Sequence, residues 1–148
     1  MSDWDQKFMG LARHIAEWSK DRGRHIGAVI VGPDNEIRST GFNGIPRGVR
    51  DDIEERHDRD SGEKYIWGAH AERNAIYNAA RIGVPLQGCR MYGTHYPCVD
   101  CAIAIIQSGI AELITTPANP DDPHWGAGYP KAQIMLEEAG VTVRFVKE

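Results

Sequence analysis

Apolar residues recur along the chain in two rhythms, and these divide it into short elements. Across residues 3–20, Trp4, Phe8, Leu11, Ile15 and Trp18 are spaced by four and three. That spacing predicts an amphipathic helix with these residues on its buried face and Asp3 as its N-cap. Asp21 to His25 is a polar turn broken by Gly23. Ile26 to Val31 is apolar and rich in β-branched residues, a buried strand. The turn Gly32-Pro33-Asp34-Asn35 joins it to a second strand over Glu36 to Phe42, making a hairpin. Gly27 inside the first strand predicts that another element approaches the backbone closely. Residues 43–66 show neither rhythm, and an irregular stretch of this length is commonly functional or mobile.

The second half alternates regularly. A helix is predicted from near His70 to about Ile82, with Ala75, Ile76 and Ala79 on its buried side and Gly83 and Pro85 ending it. Cys89 to Thr94 is a third strand, and a helix follows from near Cys98 to Gly109. Ala111 to Thr116 is a fourth strand, and residues 117–129 form a Pro/Gly/Asp loop. Pro130 opens a helix through Ala139 with Gly140 as its C-cap, and Val141 to Val146 is the last strand. The order αββαβαβαβ places the chain in the α/β class. It predicts a three-layer α/β/α sandwich around a five-stranded mixed sheet. With 148 residues, no internal repeat and no low-complexity linker, residues 1–148 read as one domain.

Composition narrows the partners. The net charge is −4, which argues against a charge-driven grip on a polynucleotide but leaves a mononucleotide open. No apolar run is long enough to cross a membrane, and the first residues lack the basic and apolar regions of a secretory signal. The expectation is a cytoplasmic protein with no membrane partner. Three cysteines in such a chain suggest metal or thiol chemistry, not a disulfide framework.

Two short motifs carry the chemistry: His70-Ala71-Glu72 and Pro97-Cys98-Val99-Asp100-Cys101. Cys98 and Cys101 are three apart, which puts both sulfurs on one helix face. At a helix start, the free N–H groups and the dipole favour thiolate. His70 also begins a helix, so one imidazole and two thiolates can meet as three ligands of a tetrahedral zinc with the fourth position open to water. Glu72 is then placed to move that water's protons. Its structural alternative is a solvated first-turn carboxylate. Alone, C-x-x-C is equally a redox or structural pair, and His95 is the nearest residue that would close a four-ligand structural site. Cys89 lies in a strand and reads as core. The combined pattern H-x-E…P-C-x-x-C is the signature of zinc-dependent nucleobase deaminases.

Further motifs extend the likeness. Ser19-Lys20-Asp21 ahead of Ile26 to Val31, Gly41-Phe42-Asn43-Gly44-Ile45-Pro46-Arg47-Gly48, His70 to Ile76, and Pro97 to Ala102 with Ile105 to Ile110 occur in that order. The chain thereby resembles the cytidine and deoxycytidylate deaminase superfamily, nearest the dCMP deaminases, over roughly residues 18–116. It departs from the pattern at His95-Tyr96 and at Pro120 to Gly126. The resemblance implies hydrolytic deamination at C4 of a cytosine nucleotide, most simply dCMP to dUMP, with zinc as cofactor and Glu72 shuttling protons. It also implies Ala71 N–H on the base carbonyl and Asn43 on the sugar hydroxyl, where the alternative for Asn43 is a turn residue beside Gly44. Tyr96 is a candidate to stack on the base, with ordinary packing as its alternative. Lys20, Arg22, Arg24, Arg47 and Arg50 are candidates for a substrate phosphate, Arg24 first. Relatives form dimers or hexamers and respond to dCTP and dTTP, so a homo-oligomer and these effectors are expected, the latter at the 43–66 segment. Other expectations stay open: a deaminase of another nucleotide, a nucleoside or a free base such as guanine, and a zinc-stabilised binding module without turnover.

Overall fold

The computed structural model describes residues 2–146. Five strands form one sheet in the order β2-β1-β3-β4-β5, with β1 spanning Gly27–Val31, β2 Ile37–Phe42, β3 Arg90–Gly93, β4 Glu112–Thr115 and β5 Thr142–Phe145. β1 is antiparallel to β2 and β3, while β3, β4 and β5 run parallel. The parallel half needs crossovers, and helices supply them: α4 (Val99–Gln107) joins β3 to β4, and α5 (Tyr129–Glu138) joins β4 to β5. The predicted α/β/α sandwich with a mixed five-stranded sheet is the observed fold.

Alternation along the strands builds two cores. Ala28, Ile30, Met91 and Leu113 face α3 (Ala71–Ile82), α4 and α5, whose contributions include Ala75, Ile105 and Leu136. Val29, Val31, Tyr92 and Ile114 face α1 (Asp3–Ala16), the one helix among the described residues on that side. Cys89 is fully buried in the first of these cores.

α1 differs from its predicted form. It stops at Ala16, and its N-cap is Ser2, whose hydroxyl accepts from Asp5 N while the Asp5 carboxylate accepts from Ser2 N. Trp4 and Trp18 are 47% and 54% exposed, and the buried stripe runs instead through Phe8, Met9, Ala12, Ile15 and Ala16. The reason lies underneath: a Cβ on Gly27 would sit 2.0 Å from the Ala12 carbonyl oxygen. The helix rests on the strand backbone, so small residues line the contact, and the close approach expected at Gly27 is this one. Asp5 is buried as well, accepting from Tyr92 Oη at 2.6 Å and from both terminal nitrogens of Arg144 at 2.8 and 3.1 Å.

The 43–66 stretch is not wholly irregular. It contains a 3-10 turn at Glu54–His57 and the start of a short helix α2 (Glu63–Trp67). Ion pairs Lys20–Asp51, Arg22–Glu54 and Asp21–Lys64 fasten it to the turn after α1. These contacts join segments 30 or more residues apart, which periodicity does not register.

Candidate metal centre and active site

Two helix starts are brought to one place by the strands that feed them. α3 lies directly on β2: a Cβ on Gly41 would come within 2.3 Å of Ala75 N and 2.5 Å of Ala71 O. Side chains then fix the helix in register. Ser39 Oγ donates to Ala75 O (2.6 Å), Asn74 Nδ2 to Phe42 O (2.8 Å) and Asn78 Nδ2 to Thr40 O (2.7 Å). A two-way backbone pairing of Gly44 with Ala69 delivers the chain to His70, the N-cap of α3. Cys98 is the N-cap of α4, one short connection beyond β3. Neither N-cap spends its side chain on capping, so both point elsewhere.

They point at each other. His70 Nδ1 lies 3.4 Å from Cys98 Sγ and 3.4 Å from Cys101 Sγ, and the three atoms lie within 4.8 Å of one another. A tetrahedral zinc with Zn–S of about 2.3 Å and Zn–N of about 2.0–2.1 Å requires N-to-S separations of roughly 3.6 Å. The donor set and its spacing therefore fit that ion. The sulfurs also compete for protons. Hydrogen bonding from Cys101 pulls the Cys98 thiol down to about 4 against the opposing effect of burial, and the same contact together with burial pushes Cys101 up. Cys98 is thus readily deprotonated, and a bound cation would also have to displace the proton of Cys101. Among the described residues no further His or Cys joins the group. His95 turns away, its Nε2 lying 3.2 Å from Arg24 Nη1 and 3.3 Å from Tyr129 Oη. Since guanidinium only donates, Nε2 accepts, and burial together with the Arg24 charge lowers the His95 pKa.

Glu72 is 3% exposed, and its Oε1 has no hydrogen-bond partner. Burial raises its pKa, the chief effect on it. Unpartnered buried carboxylate oxygens are costly, and they concentrate where a carboxyl group must exchange protons. Together with His70 and Cys98, Glu72 lines a pocket.

Of the residues proposed from sequence for substrate contact, Asn43, Tyr96 and Arg24 line this pocket and the buried Ala71 does not. Asn43 lines it, but its side chain also clips the backbone, accepting from Ile26 N and donating to Arg24 O, both at 2.9 Å. One amide hydrogen and one lone pair remain. Ala71 is the first residue of α3, where N–H groups have no partner within the helix. Tyr96 lines the pocket, yet its ring packs on Tyr129 and Phe145. Arg24 lines it too, but is paired with the buried carboxylate of Asp122. Hydrogen bonds from Trp125 N, Arg24 and His124 N outweigh burial and hold Asp122 at about 2. Lys20, Arg22 and Arg50 pair with acids, and neither Arg47 nor Arg50 reaches this pocket.

Sequence reasoning flagged Pro120 to Gly126 as a departure from the family pattern but assigned no residue of it to the far wall. Trp125 meets the His70 ring edge-on at 5.0 Å, and His124 stacks flat on Tyr65 at 3.7 Å. Arg59 and Lys64 line the pocket from the 43–66 segment, and Tyr129 from the start of α5. Aromatic density in Pro120 to Gly126 was the one available signal; the Arg24–Asp122 pair spans 98 positions and left none.

Fold and site define a class: an α/β/α sandwich with a His/Cys/Cys group at two helix starts and a buried carboxyl beside it. The comparisons say which. The family model described as the cytidine and deoxycytidylate deaminase zinc-binding region matches residues 2–116. The chain belongs to that family. It is 40% identical over 149 residues to an uncharacterized deaminase in the luxG 3′ region of Aliivibrio fischeri, covering 99% of this chain and 95% of that one. It is 37% identical over 145 residues to the deoxycytidylate deaminase of Homo sapiens, covering 96% and 79% respectively. The crystal structure of dCMP deaminase from the cyanophage S-TIM5 in complex with dCMP and dUMP superposes with a TM-score of 0.79 at 23% identity, covering 99% of both chains. No helix among the described residues is long and apolar enough to cross a membrane.

Proposed function

We propose that this chain is a zinc-dependent hydrolase that deaminates a cytosine nucleotide, dCMP to dUMP, releasing ammonia. The observation that carries it is the His70, Cys98 and Cys101 group, spaced for zinc, with His70 and Cys98 lining one pocket together with the buried Glu72, whose Oε1 has no hydrogen-bond partner. The deoxycytidylate deaminase relatives support the choice of dCMP.

His70, Cys98 and Cys101 would hold the ion, which when bound acidifies water and so makes it nucleophilic at neutral pH. Glu72 takes a proton from the attacking water and passes it to N3 of the ring. The oxygen bonds to C4, which becomes tetrahedral. Glu72 then carries the second proton to the exocyclic amino group, the C4–N bond breaks, and the products are ammonia and a C4 carbonyl. A carboxyl group with a raised pKa suits both directions of this transfer. The Ala71 N–H at the helix start would hold the base carbonyl, Asn43 the sugar hydroxyl, and Tyr96 would flank the base.

The test is an ammonia-release panel of dCMP, CMP, deoxycytidine, cytosine, guanine and dAMP, run beside metal analysis. We expect one zinc per chain and the highest kcat/KM with dCMP. A preference for guanine or dAMP would replace the substrate, and zinc binding without ammonia from any of the six would make the chain a binding module.

A further inference from the structure

A metal-ligating side chain must hold its orientation as well as its distance, and His70 sits where the helix does not supply this. It is the N-cap of α3, with φ −82° and ψ 152°, so it lies outside the helical turns that restrict side-chain torsions. Its imidazole makes two polar contacts, both through Nδ1 and both with the sulfurs. Metal-ligating histidines are ordinarily oriented through the other ring nitrogen, by a hydrogen bond to a group such as a carboxylate or a backbone carbonyl. Among the described residues no such group meets His70 Nε2.

What meets the ring instead is Trp125. The two ring planes stand at 88° with centroids 5.0 Å apart, the edge-to-face arrangement that aromatic quadrupoles favour. The indole is itself wedged. It stands nearly perpendicular to His124 (84°, 4.2 Å) and to Tyr65 (85°, 5.6 Å), two rings that stack flat on each other. Half-buried, it also packs against the core that holds Ala71 and Tyr129. The backbone beneath it is tied as well. Trp125 N donates to Asp122 Oδ1 at 2.8 Å, and Gly126 N to Asp122 O and Gly128 N to Trp125 O, both at 3.0 Å. A Cβ on Gly126 would lie 2.4 Å from Pro120 O, so the turn is closed tightly on itself. A rigid ring on a tied turn can fix the plane of the ring it touches.

We propose that Trp125 is a positioning residue for the metal ligand His70. It holds the imidazole plane so that Nδ1 faces Cys98 and Cys101, in place of a hydrogen bond to Nε2. The proposal rests on the zinc reading of the site and gives the Pro120 to Gly126 loop a part in it. Substitutions at position 125 leave all three donors present, so saturating zinc still loads one ion per chain. The effect falls on affinity and on ligand geometry.

The experiment measures zinc affinity, by competition with a chromophoric chelator, and the visible spectrum of the cobalt-substituted protein. It is run for the wild type and for Trp125→Leu, Trp125→Met and Trp125→Phe. We expect Trp125→Leu and Trp125→Met to bind zinc about three- to tenfold more weakly, the worth of one edge-to-face pair. Their cobalt d–d bands should shift, because the angle of the nitrogen ligand changes, while thiolate-to-cobalt charge transfer keeps its strength. Trp125→Phe retains a ring edge and should match the wild type in both readouts. Wild-type zinc affinity in the Leu and Met variants overturns the proposal. So does weakened affinity with unmoved d–d bands, which marks a merely structural role, or a Phe variant as weak as the Leu one. Should Trp125→Leu fail to fold, the unbranched Met variant carries the same comparison. A wild type that takes up neither metal overturns the zinc reading itself, a result separate from any difference among the variants.

Discussion

One methyl group at position 41 should damage the metal centre from the far side of a helix. A Cβ on Gly41 would lie 2.3 Å from Ala75 N, 2.5 Å from Ala71 O and 2.9 Å from Ala75 Cα. All three are backbone atoms of α3, so no rotamer change relieves the contact. The helix start must lift by roughly an ångström. Overpacking of this kind costs about 1–3 kcal/mol, which for a chain of this size lowers Tm by about 2–12 °C. The functional cost is larger in proportion, because His70 and Glu72 ride on that turn. A misplacement of about 1 Å can cost on the order of a hundredfold in rate. Gly41→Ala should therefore melt earlier, hold less zinc and lose about two orders of magnitude in kcat/KM. Gly44→Ala is the control. Its Cβ meets nothing within 4 Å, so its stability should stay within about 0.5 kcal/mol of the wild type. Calorimetry, metal analysis and steady-state kinetics on both proteins decide it. A Gly41→Ala protein with wild-type melting and turnover would show that α3 is not seated by this contact.

Three further outcomes follow from the same contacts. Glu72→Gln should keep its zinc and lose about 10²–10⁴ in kcat; near-wild-type turnover with metal bound rejects the proton-transfer role. Asp5→Ala leaves Tyr92 Oη and the two terminal nitrogens of Arg144 without this acceptor, while Arg144 Nε keeps Glu112, and should cost about 1–2 kcal/mol, with Arg144 discounted for its exposure. Hydrogen bonds from Arg144, against burial, hold the Asp5 carboxyl well below its ordinary 3.8, so its contribution is complete above that pH and fades as pH falls below it. The Tm gap between wild type and Asp5→Ala should hold from pH 7 to about 4 and narrow progressively below that, toward the lower folded value, and a gap that stays constant below pH 4 refutes the assignment. Asp122→Ala frees Arg24 and unties His124 N and Trp125 N, so KM should rise while zinc content holds; its stabilisation, with a folded value of about 2, likewise disappears as pH drops below about 4. An unchanged KM would mean that the loop does not shape the pocket.

What could be read from the residues depended on how far apart the interacting groups lie. Strand and helix positions emerged because alternation and 3.6-residue spacing are local, as at Val29 to Val31 and Ala71 to Ile82. α1 emerged with its face misjudged. Counting large residues selected Trp4 and Trp18, whereas the strand beneath accepts only small ones at Ala12 and Ala16, a fact about Gly27 and not about the helix. The short helix at Glu63–Trp67 carries no stripe of its own and is held by Lys64 reaching Asp21, 43 positions away.

The site divides along the same line, and for a reason that bears on function. His70, Cys98 and Cys101 are legible because each sits where a backbone turn becomes a helix, so the ligand motif and the structural signal coincide in a few residues. The walls that meet the substrate follow the opposite rule. Arg24 is set by Asp122, Tyr65 by His124, and the His70 ring is faced by Trp125, all across gaps of more than 50 positions. The first two pairs can change without altering a metal ligand or the helix starts that place the ligands. Chemistry and substrate binding are thus built on separable parts of this fold: exchanging Asp122 should raise KM with zinc retained, while altering Gly41 should lower zinc content and turnover together.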